Sequence, residues 1–586
     1  NLSMMPCRSV KYRKAWILPV AAMLATVAVP AGAQTAPTQA QALAAIRAFA
    51  PVAMERQGTP GLSVAVTNAN GTIDIITLGY ANVDAKAPVT PDTRFAIGSI
   101  TKSMTALALM QLYDSGSLQL DQPVQHYLPW FRIDSEGNPI LVHQILSHTA
   151  GIPDDYSSQP AYRYNVVSLA KAHVLFAPGT SWSYSNDGYD TAGTILATLD
   201  RRAWSDSLQA RVLDPIGMTA TSPVFTAQSL STAALGYQWR DNDRPGSLHP
   251  ALVPSPEEDF VDPAGSVLAT PEDMARYMRF YLNGGRTASG AQLISQRALA
   301  RMTHPVRLND GKLAGAAEPE MAEAPQFYRQ YGFGLFVEND GGDRVVGHTG
   351  GVSGYTACML MNLTRGFGVV AMANLVEAPL HPCAIVLYAM QVLRAQSLGQ
   401  TLPDAPSAPD LRHVDRAEQY AGTYSSPSGQ RFSIAASAGA LSLNEGNETA
   451  ALYPRGDDTF WVESKNFELF ELNFGRDRNG RVVEVNYGSD WYANERYAGP
   501  RTFSHPASWD WLVGRYENTF TGLPPTITRV VIVKNQLTLD GTAPLTPHSN
   551  GTFSLGSSSV RFDARAGTQP QRMWVDDTPL YRVELP

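Results

Sequence analysis

Phe95-Ala-Ile-Gly-Ser-Ile-Thr-Lys102 runs without a break into Ser103-Met-Thr-Ala-Leu-Ala-Leu-Met-Gln-Leu112. From Ile100 onward, Met104, Leu107, Ala108 and Leu112 recur at helical spacing and Gly116 supplies a stop, which predicts a buried helix with Ser99 in its first turn. A serine there sits at the positive end of the helix dipole beside unpaired backbone N–H groups. Lys102, three residues on, shares its helix face, so its amine can approach the hydroxyl. A serine hydroxyl becomes a nucleophile when a desolvated amine takes its proton, and the helix N–H groups can stabilise the oxyanion that forms. Taken alone, the same four residues read more simply as a capped helix start. The remainder of the chain decides between the two.

With 586 residues the chain exceeds one core, and three or four domains are expected. A net charge of −8 with no basic run excludes nucleic acid as a partner class. Arg8, Lys11, Arg13 and Lys14, the apolar run 15–29 and Pro30-Ala-Gly-Ala33 read as a secretory signal over residues 1–33, followed by a periplasmic or secreted protein with no stable membrane anchor after cleavage. Cys7 falls in that signal. Cys358 and Cys383 remain, and export permits either a disulfide or two buried thiols. His126, His143, His148 and His173 lack ligand spacing, so no metal and no cofactor is expected. No G-x-S-x-G is present, which disfavours an α/β-hydrolase elbow.

Helical periodicity marks 41–57, where Pro51 introduces a kink or break, and β-branched runs at 61–67 and 72–79 flank the hairpin signal Asn68-Ala-Asn-Gly71. Short helices are expected at 121–128 and 141–147, and a helix at 191–199 preceded by an irregular loop, 176–189, that carries Tyr184-Ser-Asn186. Thr270 caps a helix at 271–282, with Pro271 in its first turn and Asp273 completing a capping box. After a surface excursion at 305–327 come strands at 331–337, 344–348, 356–362 and 366–373, then a helix at 382–398. Helices, consecutive strands and a helix predict an α+β domain with an antiparallel sheet covered by helices over 34–402.

The character changes near Leu402. A stiff linker, 403–414, carries Pro403-Asp-Ala-Pro-Ser-Ala-Pro409, and beyond it short strands alternate with turns. Tyr420-Ala-Gly-Thr-Tyr424 recurs as Leu512-Val-Gly-Arg-Tyr516, Ala440-Leu-Ser-Leu443 resembles Gln536-Leu-Thr-Leu539, and Pro454 and Phe460 resemble Pro547 and Phe553. This predicts two antiparallel β-barrel-like modules, 415–504 and 505–586, with a single larger sandwich as the alternative.

Two more motifs accompany Ser99. Tyr184-Ser-Asn186 can project a hydroxyl and an amide into a cleft. His348-Thr-Gly-Gly351, expected to end a strand, offers an edge along which a substrate backbone can lie and an N–H opposite that of Ser99. The order and spacing of Ser99-x-x-Lys102, Tyr184-Ser-Asn186 and His348-Thr-Gly350 resemble the penicillin-recognising serine hydrolases: class C β-lactamases, DD-peptidases, D-aminopeptidases and related esterases. Leu146-x-His-Thr-x-Gly151 and Pro263-Ala-Gly-Ser266 strengthen the likeness, which covers residues 40–400.

That resemblance implies a β-lactamase/transpeptidase-like fold and a role for each matched residue. Ser99 would form an acyl-enzyme, while Lys102 and Tyr184 would share the proton, either being the base. Asn186 would bind the substrate amide. His348, Thr349, Gly350 and Gly351 would line the substrate, with the Ser99 and Gly351 N–H groups as oxyanion hole. His348 stands where β-lactamases commonly have lysine, so a constant positive charge for a substrate carboxylate is missing. The implied substrates are small amides or short peptides with D-residues, of D-aminopeptidase or DD-peptidase type. An esterase, a promiscuous β-lactamase and a penicillin-binding receptor with little turnover are the alternatives, and a homo-oligomer is compatible with all of them. The β modules resemble the lipocalin-like C-terminal parts of three-domain D-aminopeptidases. In those a barrel loop can reach the cleft, which makes 521–525 and 488–495 candidates here, although ordinary surface turns are the simpler reading.

Overall fold

The computed structural model describes residues 36–583 apart from 57, 154–160, 241–243, 246–250, 256–261, 316–328, 377–381, 409, 457, 519–525, 557, 568 and 577. The signal segment and the 521–525 turn therefore lie outside the described residues. Two units emerge among the described residues: 36–238 with 252–406, and 407–583 with 239–240, 244–245 and 251.

The first unit is built on an antiparallel sheet. Its central strands are β1 (Gly61–Asn68), β2 (Gly71–Asn82), β3 (Phe336–Asp340), β4 (Asp343–Val352), β5 (Tyr355–Asn362) and β6 (Phe367–Ala373). They run in the order β2-β1-β6-β5-β4-β3, and Ala87–Pro88 and Gln330–Tyr331 extend the two edges. The chain thus supplies its first hairpin to one side and its last four strands to the other. Alternation along the strands decides the layers, because successive side chains point to opposite faces. Leu62, Val64, Val66, Cys358, Leu360, Val369 and Ala371 pack against α1 (Gln39–Arg56) and the C-terminal helix of this unit, Cys383–Ser397. Ala65, Met359, Met361, Val370 and Met372 face the larger helical layer, which contains α2 (Thr101–Asp114). Both faces are buried, which explains the near-continuous apolar strands.

Local chemistry moved several boundaries. Pro51 lies within α1 without ending it: the proline penalty of about 3 kcal/mol is offset by burial of Ala42, Ile46, Phe49, Ala50 and Ala53. The 121–128 and 141–147 helices shorten to Val124–Tyr127 and Val142–Leu146. The expected 331–337 strand breaks at Gly334, whose φ of +71° turns the chain against α2; a Cβ there would lie 2.7 Å from the Ser103 Cα. Ser99 sits in a 3-10 turn, Gly98–Ile100, that continues into α2, so the serine precedes the α-helix proper. Cys358 and Cys383 are joined in a disulfide with Cα atoms 5.2 Å apart, tying β5 to the C-terminal helix.

In the second unit eight strands between residues 422 and 493 close into a barrel, and nine strands between 514 and 583 form a second sheet. The edges of that sheet, Ala543–Pro544 and Thr546–Pro547, flank the buried Leu545, so the second module is a barrel open at a single residue. The sequence repeat has a structural counterpart. Tyr424 donates its hydroxyl hydrogen to the Tyr420 carbonyl at 2.8 Å, and Tyr516 does the same to Leu512 at 2.9 Å. Of the expected 488–495 turn, Asp490–Ala493 is a strand of the closed barrel; Gly488 before it meets Gly541 of the other module, and Trp491 donates to Glu484, which also pairs with Lys534 at 2.8 Å.

Candidate active site

The site grows from the Gly98–Ile100 turn. Gly98 has φ +49°, and a Cβ on it would lie 2.6 Å from the Gly351 nitrogen. On Gly350 a Cβ would lie 1.9 Å from the Ile97 carbonyl oxygen. Only glycines permit β4 to come this close to the Ser99 turn, and the approach brings the Gly351 N–H beside Ser99. The motif does not end the strand. β4 continues to Val352, pairing with β5 from Val345↔Asn362 to Val352↔Tyr355, and the chain turns at Ser353-Gly354, where Gly354 has φ +79°. Strand β3 accompanies β4 only from Asp343 to Gly347, so His348–Val352 have no strand partner on that side among the described residues.

Lys102, fully buried, points its ammonium at three acceptors: Ser99 Oγ at 3.1 Å, Asn186 Oδ1 at 2.5 Å and the Ala264 carbonyl at 3.0 Å. Asn186 Oδ1 and the Ala264 carbonyl can only accept from the amine, whereas the Ser99 hydroxyl can either accept from it or donate to it. Ala264 is held in reach because α2 binds its segment: Thr105 donates to the Pro263 carbonyl at 2.8 Å and the Val267 N–H donates to Thr101 at 3.2 Å. The Tyr184 ring centroid lies 4.8 Å from the Lys102 nitrogen and that of Tyr189 lies 5.7 Å away. Desolvated rings of this kind favour a cation.

Asn186 opens a helix rather than lying in a loop. Helix α3 spans Asn186–Asp200, five residues longer at its start than expected. Asn-Asp-Gly reads as turn chemistry, yet Ser185 adopts extended φ/ψ and its hydroxyl accepts the Gly188 N–H at 3.0 Å, with Asp187 in the first turn. A serine cap and an acidic first turn are what a helix N-terminus favours. The cap fixes Asn186 against Lys102.

The loop that carries Tyr184 is set by His148, assigned no site role from sequence. His148 has φ +59° and is 2% exposed; its Nδ1 accepts the Ser185 N–H at 3.1 Å and its carbonyl accepts the Ser183 N–H at 3.0 Å. Its ring lies 4.3 Å from that of Tyr184 and 4.7 Å from that of Tyr331. Burial first, and the Lys102 charge second, hold His148 neutral by lowering its pKa well below the free value. The Leu146-x-His-Thr-x-Gly151 phrase was the signal for it.

His348 is turned inward, 1% exposed. Its Nδ1–H donates to the Thr349 carbonyl at 2.5 Å, which leaves Nε2 to accept from the Tyr331 hydroxyl at 3.0 Å. Burial first, and Lys102 second, lower its pKa to about 3. His348 is therefore a neutral ring 6.0 Å from Tyr184, with Thr349 half-buried and Gly351 exposed beyond it. The structure thus joins Ser99, Lys102, Tyr184, Asn186 and the His348–Gly351 strand in one cluster.

The Beta-lactamase family model matches residues 46–385. Protein flp of Staphylococcus aureus (strain N315) is 28% identical over 333 residues, which are 55% of this chain and 61% of that protein's length. Penicillin-binding protein 4* of Bacillus subtilis (strain 168) is 23% identical over 458 residues, covering 72% of this chain and 94% of the relative. Among solved structures, the octameric penicillin-binding protein homologue from Pyrococcus abyssi shares the fold with a TM-score of 0.53 at 23% identity, over 77% of this chain and 99% of its own.

Proposed function

This chain belongs to the beta-lactamase family, and from that premise we propose that it is a serine hydrolase that forms an acyl-enzyme through Ser99. The observation that carries the reading is the 3.1 Å contact of Lys102 Nζ with Ser99 Oγ, at a turn where the Gly351 N–H closes in from β4. Ser99 Oγ attacks the substrate carbonyl carbon and its proton passes to the Lys102–Tyr184 pair. That proton then protonates the departing amine or alcohol, and water releases the acyl group from Ser99. The Ser99 and Gly351 N–H groups hold the oxyanion, each worth about 10²–10³ in rate. Asn186, beside Lys102, holds the substrate amide.

The substrate class follows from His348. A neutral imidazole with both nitrogens engaged offers no fixed positive charge to a carboxylate next to the scissile bond. That favours amides, amino-terminal D-residues and esters over DD-dipeptides and β-lactams, both of which present a carboxylate. The disulfide supports an exported protein, periplasmic or secreted, since such bonds persist in oxidising compartments; fractionation of the native host would find it in the cytosol if this is wrong. The test of activity is a panel of D-amino-acid amides, p-nitrophenyl esters, DD-dipeptides and cephalosporins. The first two are expected to turn over with the highest kcat/KM, and a preference for cephalosporins would refute the assignment.

A further inference from the structure

Behind Lys102 lies a pair of carboxyl groups that the acylation chemistry does not use directly. Asp190 stands in the second turn of α3 and is 1% exposed. Its Oδ2 accepts the Asn165 side-chain N–H at 2.8 Å, while its Oδ1 is buried and meets no N–H or O–H donor. The carboxyl group of Asp190 is instead within hydrogen-bonding reach of that of Asp262. Asp262 Oδ1 accepts the Ala264 N–H at 2.5 Å, and the carbonyl of the same Ala264 accepts from Lys102 at 3.0 Å. Asp262 is therefore one residue's backbone away from the amine that touches Ser99.

Two carboxylates cannot close a hydrogen bond between them, so one carries a proton. The surroundings choose which. Asp190 is enclosed and faces Asp262 and Asp187, both of which disfavour a charge on it, and its pKa is raised well above the usual range, chiefly by burial. Asp262 is also raised by burial, but it faces Lys102 and accepts the Ala264 and Gly265 N–H groups, all of which favour its anion. The proton resides on Asp190 and the charge on Asp262.

We infer that Asp262 is a positioning residue for the hydrolysis proposed above: its carboxylate is the counter-charge that keeps Lys102 an ammonium at Ser99, with neutral Asp190 holding it in place. The inference rests on Ser99 being the nucleophile. It gives Lys102 and Tyr184 separate duties. An ammonium already donating to Ser99 Oγ cannot take the serine proton, so a Tyr184 phenolate, stabilised beforehand by the Lys102 charge, takes it and becomes the neutral phenol as Oγ bonds to the carbonyl carbon. The charged and titratable groups facing this assembly are Tyr184, Tyr189, His148 and His348 around Lys102, and Asp187 and Tyr162 around the carboxyl pair.

Asp262→Asn retains an oxygen for the Ala264 N–H and removes only the charge. In this variant one limb of the kcat/KM pH profile moves to lower pH by about one unit, the shift expected from losing an opposite charge at this range. Asp190→Asn, a neutral amide for a neutral acid, leaves that limb in place. A folded Asp262→Asn enzyme with an unmoved profile, or a limb that moves equally in Asp190→Asn, overturns the inference. Should Asp262→Asn fail to fold, carbon NMR of the wild-type protein with labelled aspartate decides it. One Asp carboxyl stays protonated at pH 6 and its signal vanishes in Asp190→Asn; if every Asp carboxyl is ionised at pH 6, the inference is wrong. Full activity in Ser99→Ala would instead sink the nucleophile assignment, which neither readout can mimic.

Discussion

Replacing Gly350 by alanine places a methyl carbon 1.9 Å from the Ile97 carbonyl oxygen, where real Cβ contacts essentially never fall below 3.0 Å. The obstacle is backbone, not the end of a flexible side chain, so relief requires β4 and the Ser99 turn to separate by about 1.1 Å. That separation moves the Gly351 N–H away from the oxyanion position, and a misplacement of about 1 Å costs on the order of 10² in rate. Gly350→Ala is therefore expected to lose about 10²-fold or more in kcat/KM on the best ester or amide substrate, mostly in kcat. Gly351→Ala is the control for the fold: nothing lies within 4 Å of its Cβ, so its melting temperature stays at the wild-type value. The assay is steady-state hydrolysis of a p-nitrophenyl ester alongside thermal melts of both variants. A Gly350→Ala enzyme within about threefold of wild type would show that β4 does not press on this turn, because a 1 Å shift cannot be that cheap.

Other perturbations read other parts of the account. His148→Ala removes the acceptor for the Ser185 N–H and the ring against Tyr184, and is expected to cut kcat by about tenfold or more with little change in KM; an equal rise in KM would contradict a role in setting the Tyr184 loop. Because the His348 pKa lies at about 3 in the folded protein, below the free value near 6.5, His348 contributes stability above pH 6.5 that is lost as pH falls toward 3. Chemical denaturation across that window should be less pH-dependent in His348→Gln than in wild type. Cys358→Ser opens a link spanning 25 residues, a loss of about 3 kcal/mol, and a reducing agent should lower the wild-type melting temperature toward the variant's. Tyr424→Phe and Tyr516→Phe each delete the same buried bond, so each should cost about 1 kcal/mol; a neutral result for either would argue against equivalent corners in the two β modules.

Much of this was legible in the chain because the informative residues act locally. Thr270 and Pro271 set the start of Pro271–Leu282 through cap chemistry alone, and the strands of the sheet announced themselves as short apolar, β-branched runs. The repeat of Tyr424 and Tyr516 was readable because each tyrosine bonds only four residues back. The misreadings occurred where a distant group decides. Asn-Asp-Gly looked like a turn until Ser185 capped it. Gly350 looked like part of a strand end, whereas its lack of a side chain serves the approach of Ile97 and Gly98. His148 lay near helices without ligand spacing, and its importance comes from ring contacts with Tyr184 and Tyr331, the latter 183 residues away in sequence. The Asp190–Asp262 pair could not be seen at all, since neither residue has a local reason to be buried beside the other.

The central claim is that the acyl group rests on Ser99, and intact-mass spectrometry with peptide mapping of acid-quenched reactions tests it most directly. After mixing with a slowly turned-over activated ester, the account predicts a mass increase equal to one acyl group, mapped to Ser99 and absent from Ser99→Ala. Continued hydrolysis by Ser99→Ala, or an adduct mapped to any other residue, would contradict it.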